Sequence, residues 1–157
     1  MNIVKGLHQF NKEYIYFCDA IKNNIMTDSS FIRILYSTDL FIMNGIYLSV
    51  FFQNINVEKY YNKYRCIFDY NTHTELIDSI KKIEEDIIHK LNITNKTPVY
   101  KIYEQLSNGN IKVFADNIQD IHNLFLLKIS GIWETENNYG VTYKFTSINH
   151  PLKNISN

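Results

Sequence analysis

Apolar and polar residues alternate with a period of two through three neighbouring stretches of residues 30–69, which predicts strands with two chemically different faces. In residues 46–51, Ile46, Leu48 and Val50 alternate with Tyr47, Ser49 and Phe51, giving one aliphatic face and one that carries rings. Residues 61–68 direct Tyr64, Cys66 and Phe68 to one side and Lys63 and Arg65 to the other. Residues 31–36 set Ile32, Ile34 and Tyr36 against Arg33 in the same way. Joined as a three-stranded meander, these segments predict a sheet face presenting Arg33, Tyr47, Phe51, Lys63 and Arg65. Rings interleaved with cations form the kind of surface on which single-stranded nucleic acid stacks. The same alternation allows a second arrangement, in which the amino-terminal segment covers this face and both rings are core, since a slip of one residue exchanges the two faces.

The rest of the chain supplies one clear helix and further strands. Residues 13–18 read as an edge strand, with a short helix over residues 12–21 as the competing reading, and Asn44-Gly45 marks a bend. Thr72-His73-Thr74-Glu75 matches a capping box. Leu76, Ile77, Ile80, Ile83, Ile87, Ile88 and Leu91 then recur at spacings of three and four, opposite Lys81, Lys82, Glu85 and Asp86. This predicts a helix from about Thr72 to Leu91 that packs on one side. Residues 99–106 and 111–115 read as a hairpin around Ser107-Asn108-Gly109-Asn110. A second hairpin over residues 124–146 turns at Glu136-Asn137-Asn138, with Leu127, Ile129 and Trp133 on one side of its first strand and Val141, Tyr143 and Phe145 on one side of its second. Trp133 reads as core, and Gly131 and Gly140 as points of close approach. Three strands, a helix and further strands is the order of an OB-like antiparallel barrel, so the expected fold class is mainly β with one long helix.

Composition narrows this picture. With 157 residues, 45% of them hydrophobic, the chain suits one core, so a single OB-like domain over residues 1–157 is expected, with residues 1–29 an amino-terminal extension or edge strand and residues 148–157 a tail. Aromatics at 15% and only 2 Pro and 5 Gly favour strands over disorder. The 16 Lys and Arg balance 16 Asp and Glu, so any attraction for a polyanion must come from a local basic face. Cys18 and Cys66 stand far apart without neighbours at metal-ligand spacing and read as small buried hydrophobes. The amino terminus lacks a signal-like apolar stretch, and no window reaches membrane-spanning length, so an intracellular protein with no membrane partner is expected.

Residues 31–38 leading into Asn44-Gly45-Ile46-Tyr47, together with residues 127–135 followed by Tyr139-Gly140-Val141-Thr142-Tyr143-Lys144, resemble the single-stranded-DNA-binding proteins of large eukaryotic DNA viruses. They resemble more distantly the replicative single-strand binders of phages, and the likeness touches about half of the chain. It implies an OB fold that coats replication or recombination intermediates in a barrel groove, at viral replication sites in host cytoplasm or nucleus. The expected partners are single-stranded DNA, with RNA as an alternative, and further copies of the chain. Many replicative binders end in an acidic tail that recruits partners, whereas this sequence ends in His150-Pro151-Leu152-Lys153-Asn154-Ile155-Ser156-Asn157, which counts against a partner-recruiting role. The expected nucleic-acid-binding residues are Arg33, Tyr47, Phe51, Lys63, Arg65, Lys128 and Lys144.

Catalysis has no motif to support it. The five histidines are dispersed, and no phosphate-binding glycine loop or nucleophile elbow occurs, so no catalytic residue, metal or cofactor is expected. Asp116, Asp120 and His122 fall close together as the one cluster of metal-dependent nuclease type. The rival to DNA binding is a viral structural or adaptor β domain whose aromatic face binds protein.

Overall fold

The computed structural model describes residues 4–22 and 29–148. The elements in order are β1 (Ile15–Lys22), β2 (Ser30–Ser37), β3 (Ile42–Met43), β4 (Ile46–Phe51), β5 (Asn56–Tyr60), β6 (Lys63–Ile67), α1 (Thr74–Leu91), β7 (Thr97–Val99), α2 (Lys101–Ser107), β8 (Asn110–Val113), β9 (Leu124–Glu134) and β10 (Asn138–Ser147). The expected tail lies almost wholly outside the described residues, as do residues 23–28.

The larger sheet grows around β9. Along one side β9 pairs with β10 over its length; along the other its first half pairs with β4 and its second half with β2. Phe125, Leu127 and Ile129 alternate into the core and are fully buried. The register to β10 then shifts, from Ile129 opposite Tyr143 to Gly131 opposite Thr142, which leaves Ser130 as an extra residue. That bulge exchanges the faces, so Ile132 is the next residue directed inward, against Ile32 and Val141. The expected hairpin over residues 124–146 is therefore present, but Trp133 lies on the opposite face from Leu127 and Ile129. It is half-buried there, lying across Gly140. A Cβ at Gly140 would sit 2.8 Å from the Trp133 ring, and one at Gly131 would sit 2.4 Å from the Phe31 ring, so the close approach read from both glycines is real.

β1 forms the far edge beyond β2, which agrees with the edge-strand reading of the amino-terminal region, and β7 adds a short parallel edge to β10. Upstream, Lys5 pairs with β4: its N–H donates to the Tyr47 carbonyl and its carbonyl accepts from the Ser49 N–H.

The meander expected from residues 30–69 does not form. β2 and β4 each pair with β9 instead of with one another, while β6 belongs to a separate sheet ordered β5-β6-β8. The inward sets were nonetheless read correctly: Ile32, Ile34, Tyr36, Ile46, Leu48, Val50, Tyr64, Cys66 and Phe68 are all buried. The fold is mainly β with one long helix, and its two sheets do not close into a barrel.

The helix α1 buries Ile77, Ile80, Ile83, Ile87 and Ile88, the stripe expected from their spacing. Its entry differs from the expected capping box. Asp69 accepts from the Asn71 N–H to start a short 3-10 turn, and the Thr72 hydroxyl donates to the Asp69 carbonyl. Residues 99–106, expected as a strand, contain the helix α2 instead. Ile102 and Leu106, four apart, are both fully buried, and that spacing serves a helix face.

Its first turn is held by Glu84 from α1, whose side chain is 0% exposed. The Glu84 carboxylate accepts from the Ile102 and Tyr103 N–H groups, each at 3.0 Å. It thereby satisfies two amides that a helix start otherwise leaves open. Burial pushes its pKa up to about 7, with the two amide bonds pulling the other way. Because the unfolded carboxyl ionises near its ordinary 4.5, the folded chain holds a proton that the unfolded chain has lost throughout the interval up to about 7. Stability from this group is therefore full below pH 4.5, declines as pH rises to about 7 and is level above it. Glu84→Ala should cost about 2 kcal/mol by orphaning both amides. Glu84→Gln should remove this part of the pH dependence, which denaturant midpoints at pH 5 and pH 8 for the variant and the parent will measure.

Candidate functional site

The small sheet turns one face inward through Val57, Cys66, Ile111, Tyr64 and Val113, and the strand period sends the residues between them outward. In register, one outward row reads Glu58, Arg65, Lys112. The next row pairs Tyr60 with Lys63, beyond which Phe114 follows Val113 on the third strand. Rings and cations thus share one sheet face, the pattern expected of the chain, built mostly from other residues.

The contacts within this face are specific. The Tyr60 ring has two cations over it, the Arg65 guanidinium 4.9 Å and the Lys112 ammonium 4.6 Å from its centroid. The Phe114 ring has Lys63 at 4.7 Å and Lys144, from β10, at 6.0 Å. Such contacts hold a cation near a ring while leaving its charge available to an anion. Arg65 also pairs with Glu58 at 2.6 Å, which fixes the guanidinium against Tyr60.

Opposite this face stand β10 and α2, and between them lies a cleft of about 530 Å³. Beyond the three residues paired with β7, the side of β10 away from β9 has no strand partner among the described residues. The walls carry Lys63, Arg65, Lys101, Lys112 and Lys144 against the single carboxylate of Glu104. Five cations to one lining acid, with Arg65 also paired to Glu58 at the margin, still leave a local positive excess in a chain whose formal net charge is zero. Tyr143 ties the two parts of one wall together, its hydroxyl donating to the Gln105 side-chain carbonyl. Burial, with the charges of Glu84 and Glu104 behind it, pushes that hydroxyl up to about 12, so it stays a donor.

Of the seven residues expected to bind, Lys63, Arg65 and Lys144 come together here. Lys128 pairs with Lys144 across β9 and β10 and sits over the Tyr47 ring at 5.4 Å. Arg33 is exposed on β2, donating to the Asn44 side chain at 2.7 Å. Tyr47 and Phe51 share a face of β4, as their spacing requires, yet Tyr47 is only 8% exposed while Phe51 is 50% exposed. Phe51 borders a different hollow, with Leu7, Gln53 and His73.

Sequence reasoning missed Tyr60, Lys101, Lys112 and Phe114. Lys112 and Phe114 flank Val113 two residues apart and carried a readable signal; Lys101 did not, because α2 was taken for a strand. Among the described residues, no three His, Cys, Asp or Glu side chains gather as a metal site, and Asp116, Asp120 and His122 do not form one. No helix there is long and apolar enough to cross a membrane. The Cys66 thiol, pushed up to about 11 by burial, is held in its unreactive form. Comparison with known protein families, with curated proteins and with solved structures gives no match.

The unequal burial of the two β4 rings gives a direct expectation. Tyr47→Ala should cost about 3–5 kcal/mol of stability as a core truncation. Phe51→Ala should cost less than about 1 kcal/mol, because half of its surface is already in water. Thermal melting of the two variants beside the parent checks the split.

Proposed function

We propose that the protein binds single-stranded nucleic acid, DNA or RNA, along the outer face of the small sheet and into the cleft beside it. The observation that supports this most is the charge of that cleft, five cations against one acid, beside two rings that are each flanked by cations. Phosphates would meet Lys63, Lys101, Lys112 and Lys144, while bases would stack on Tyr60 and Phe114. Stacking of this kind is tolerant of sequence, since every base offers a π-face. Coating of replication or recombination intermediates is the role that such binding would serve. Arg33 and Tyr47 are not part of this site; Lys128 would act only as a neighbour of Lys144.

Fluorescence anisotropy of a labelled single-stranded oligonucleotide over a salt series tests the reading. The log–log slope of affinity on salt should have a magnitude of about 2–4, from about 0.7 per phosphate contact. Lys63→Ala and Lys144→Ala should each lower it by about 0.7, and Arg33→Ala should leave it unchanged. An affinity independent of salt would remove the cleft from the mechanism. No binding at low salt would turn the aromatic face toward a protein partner instead.

A further inference from the structure

The hairpin between β5 and β6 is closed by two residues, Tyr61 and Asn62, since Tyr60 pairs directly with Lys63. Two-residue hairpin loops favour Asn or Gly because the backbone must enter the left-handed region. Tyr61 does so with φ +54°, a conformation that bulky L residues avoid. The other non-glycine residues at positive φ among those described are Asn54 and Asn92, both of the tolerant type. Burial does not explain Tyr61 either, for it is 84% exposed. Its ring lies edge-on to the Tyr60 ring at 4.8 Å. Tyr60 is the ring that Arg65 and Lys112 also contact. A bulky aromatic thus occupies a position where both the backbone and the solvent favour a small polar residue, directly beside the cation-flanked ring.

We propose that Tyr61 is a base-stacking finger that carries the site beyond the sheet to the hairpin tip and makes it selective for unpaired strands. The inference rests on the proposed binding function and adds its discrimination. Within a duplex the bases are stacked on one another and turn no free face to a projecting ring, whereas an unpaired base can lie on it. Phosphate contacts alone would not distinguish the two forms so sharply.

The test separates the ring from the fold, because glycine suits the backbone at position 61. Tyr61→Gly should melt at the same temperature as the parent or up to about 4 °C higher, through relief of the left-handed strain. Its affinity for a labelled single-stranded oligonucleotide should fall about 5- to 100-fold, the loss of one stacked base. Tyr61→Phe should keep single-strand affinity within about twofold of the parent, and duplex binding at low salt should be the same for all three proteins. Single-strand affinity per folded molecule unchanged in Tyr61→Gly would overturn the finger while leaving the cleft in place. A loss in Tyr61→Phe equal to that in Tyr61→Gly would also overturn it, since the hydroxyl would then be the contact. Failure of the parent to bind any single strand would remove both readings.

Discussion

The larger sheet depends on one strand that serves three partners. β9 has β10 along one side and must divide the other between β4 and β2, two strands close to one another in the chain and far from β9. A regular strand of eleven residues would keep one set of side chains inward throughout. The extra Ser130 resets the pleat midway, so that Leu127 and Ile129 serve the core beside β4 and Ile132 serves it beside β2. Gly131 follows the bulge directly, and the absence of its side chain admits the Phe31 ring where β2 crosses. The two halves of the sheet are in this sense separate surfaces joined by one irregular residue.

The cleft depends on a second arrangement, internal and polar. α2 is too short to stand alone and is held by Glu84 at its start, by Ile102 and Leu106 beneath and by the Tyr143 bond to Gln105 at the side. Lys101, Glu104 and Gln105 line the cleft from this helix, so the charge of one wall is positioned by a buried carboxylate that never reaches solvent. Acidic groups behind the wall and cations on its surface are thus consequences of the same packing.

Much of this was legible in the sequence wherever one periodicity ruled unopposed. The α1 stripe and the inward residues of β2, β4 and β6 could be read from spacing alone, because each keeps most of its buried residues on a single face. What spacing could not supply was which strand lies beside which. β2, β4 and β6 follow one another closely, yet the first two pair with β9, distant in sequence, along the same side of it and not with each other, and the third joins β5 and β8. The site residues moved for this reason: Lys63 and Arg65 lie on the face expected of their strand, while Tyr47 sits where the fold covers a face that Phe51 still shows to solvent. At α2 the local preference of Val99, Tyr100, Ile102 and Tyr103 for strand gave way to an acceptor eighteen residues back, Glu84, which reads in sequence as one more charge in an acidic run. Trp133 was set on the wrong face by the bulge at Ser130, which the neighbouring Gly131 marks but which reads in sequence only as a point of close approach.

The concentration of cations in one cleft of an otherwise balanced chain also has a kinetic meaning. At physiological ionic strength charge is screened over about 8 Å, and beyond that distance a neutral molecule exerts almost no pull on an approaching anion. Long-range steering of the kind that accelerates encounter for strongly basic proteins is therefore weak here. The local excess instead acts within about one screening length of the cleft, roughly 8 Å, where a lining of one sign focuses the field on an anion that is already close.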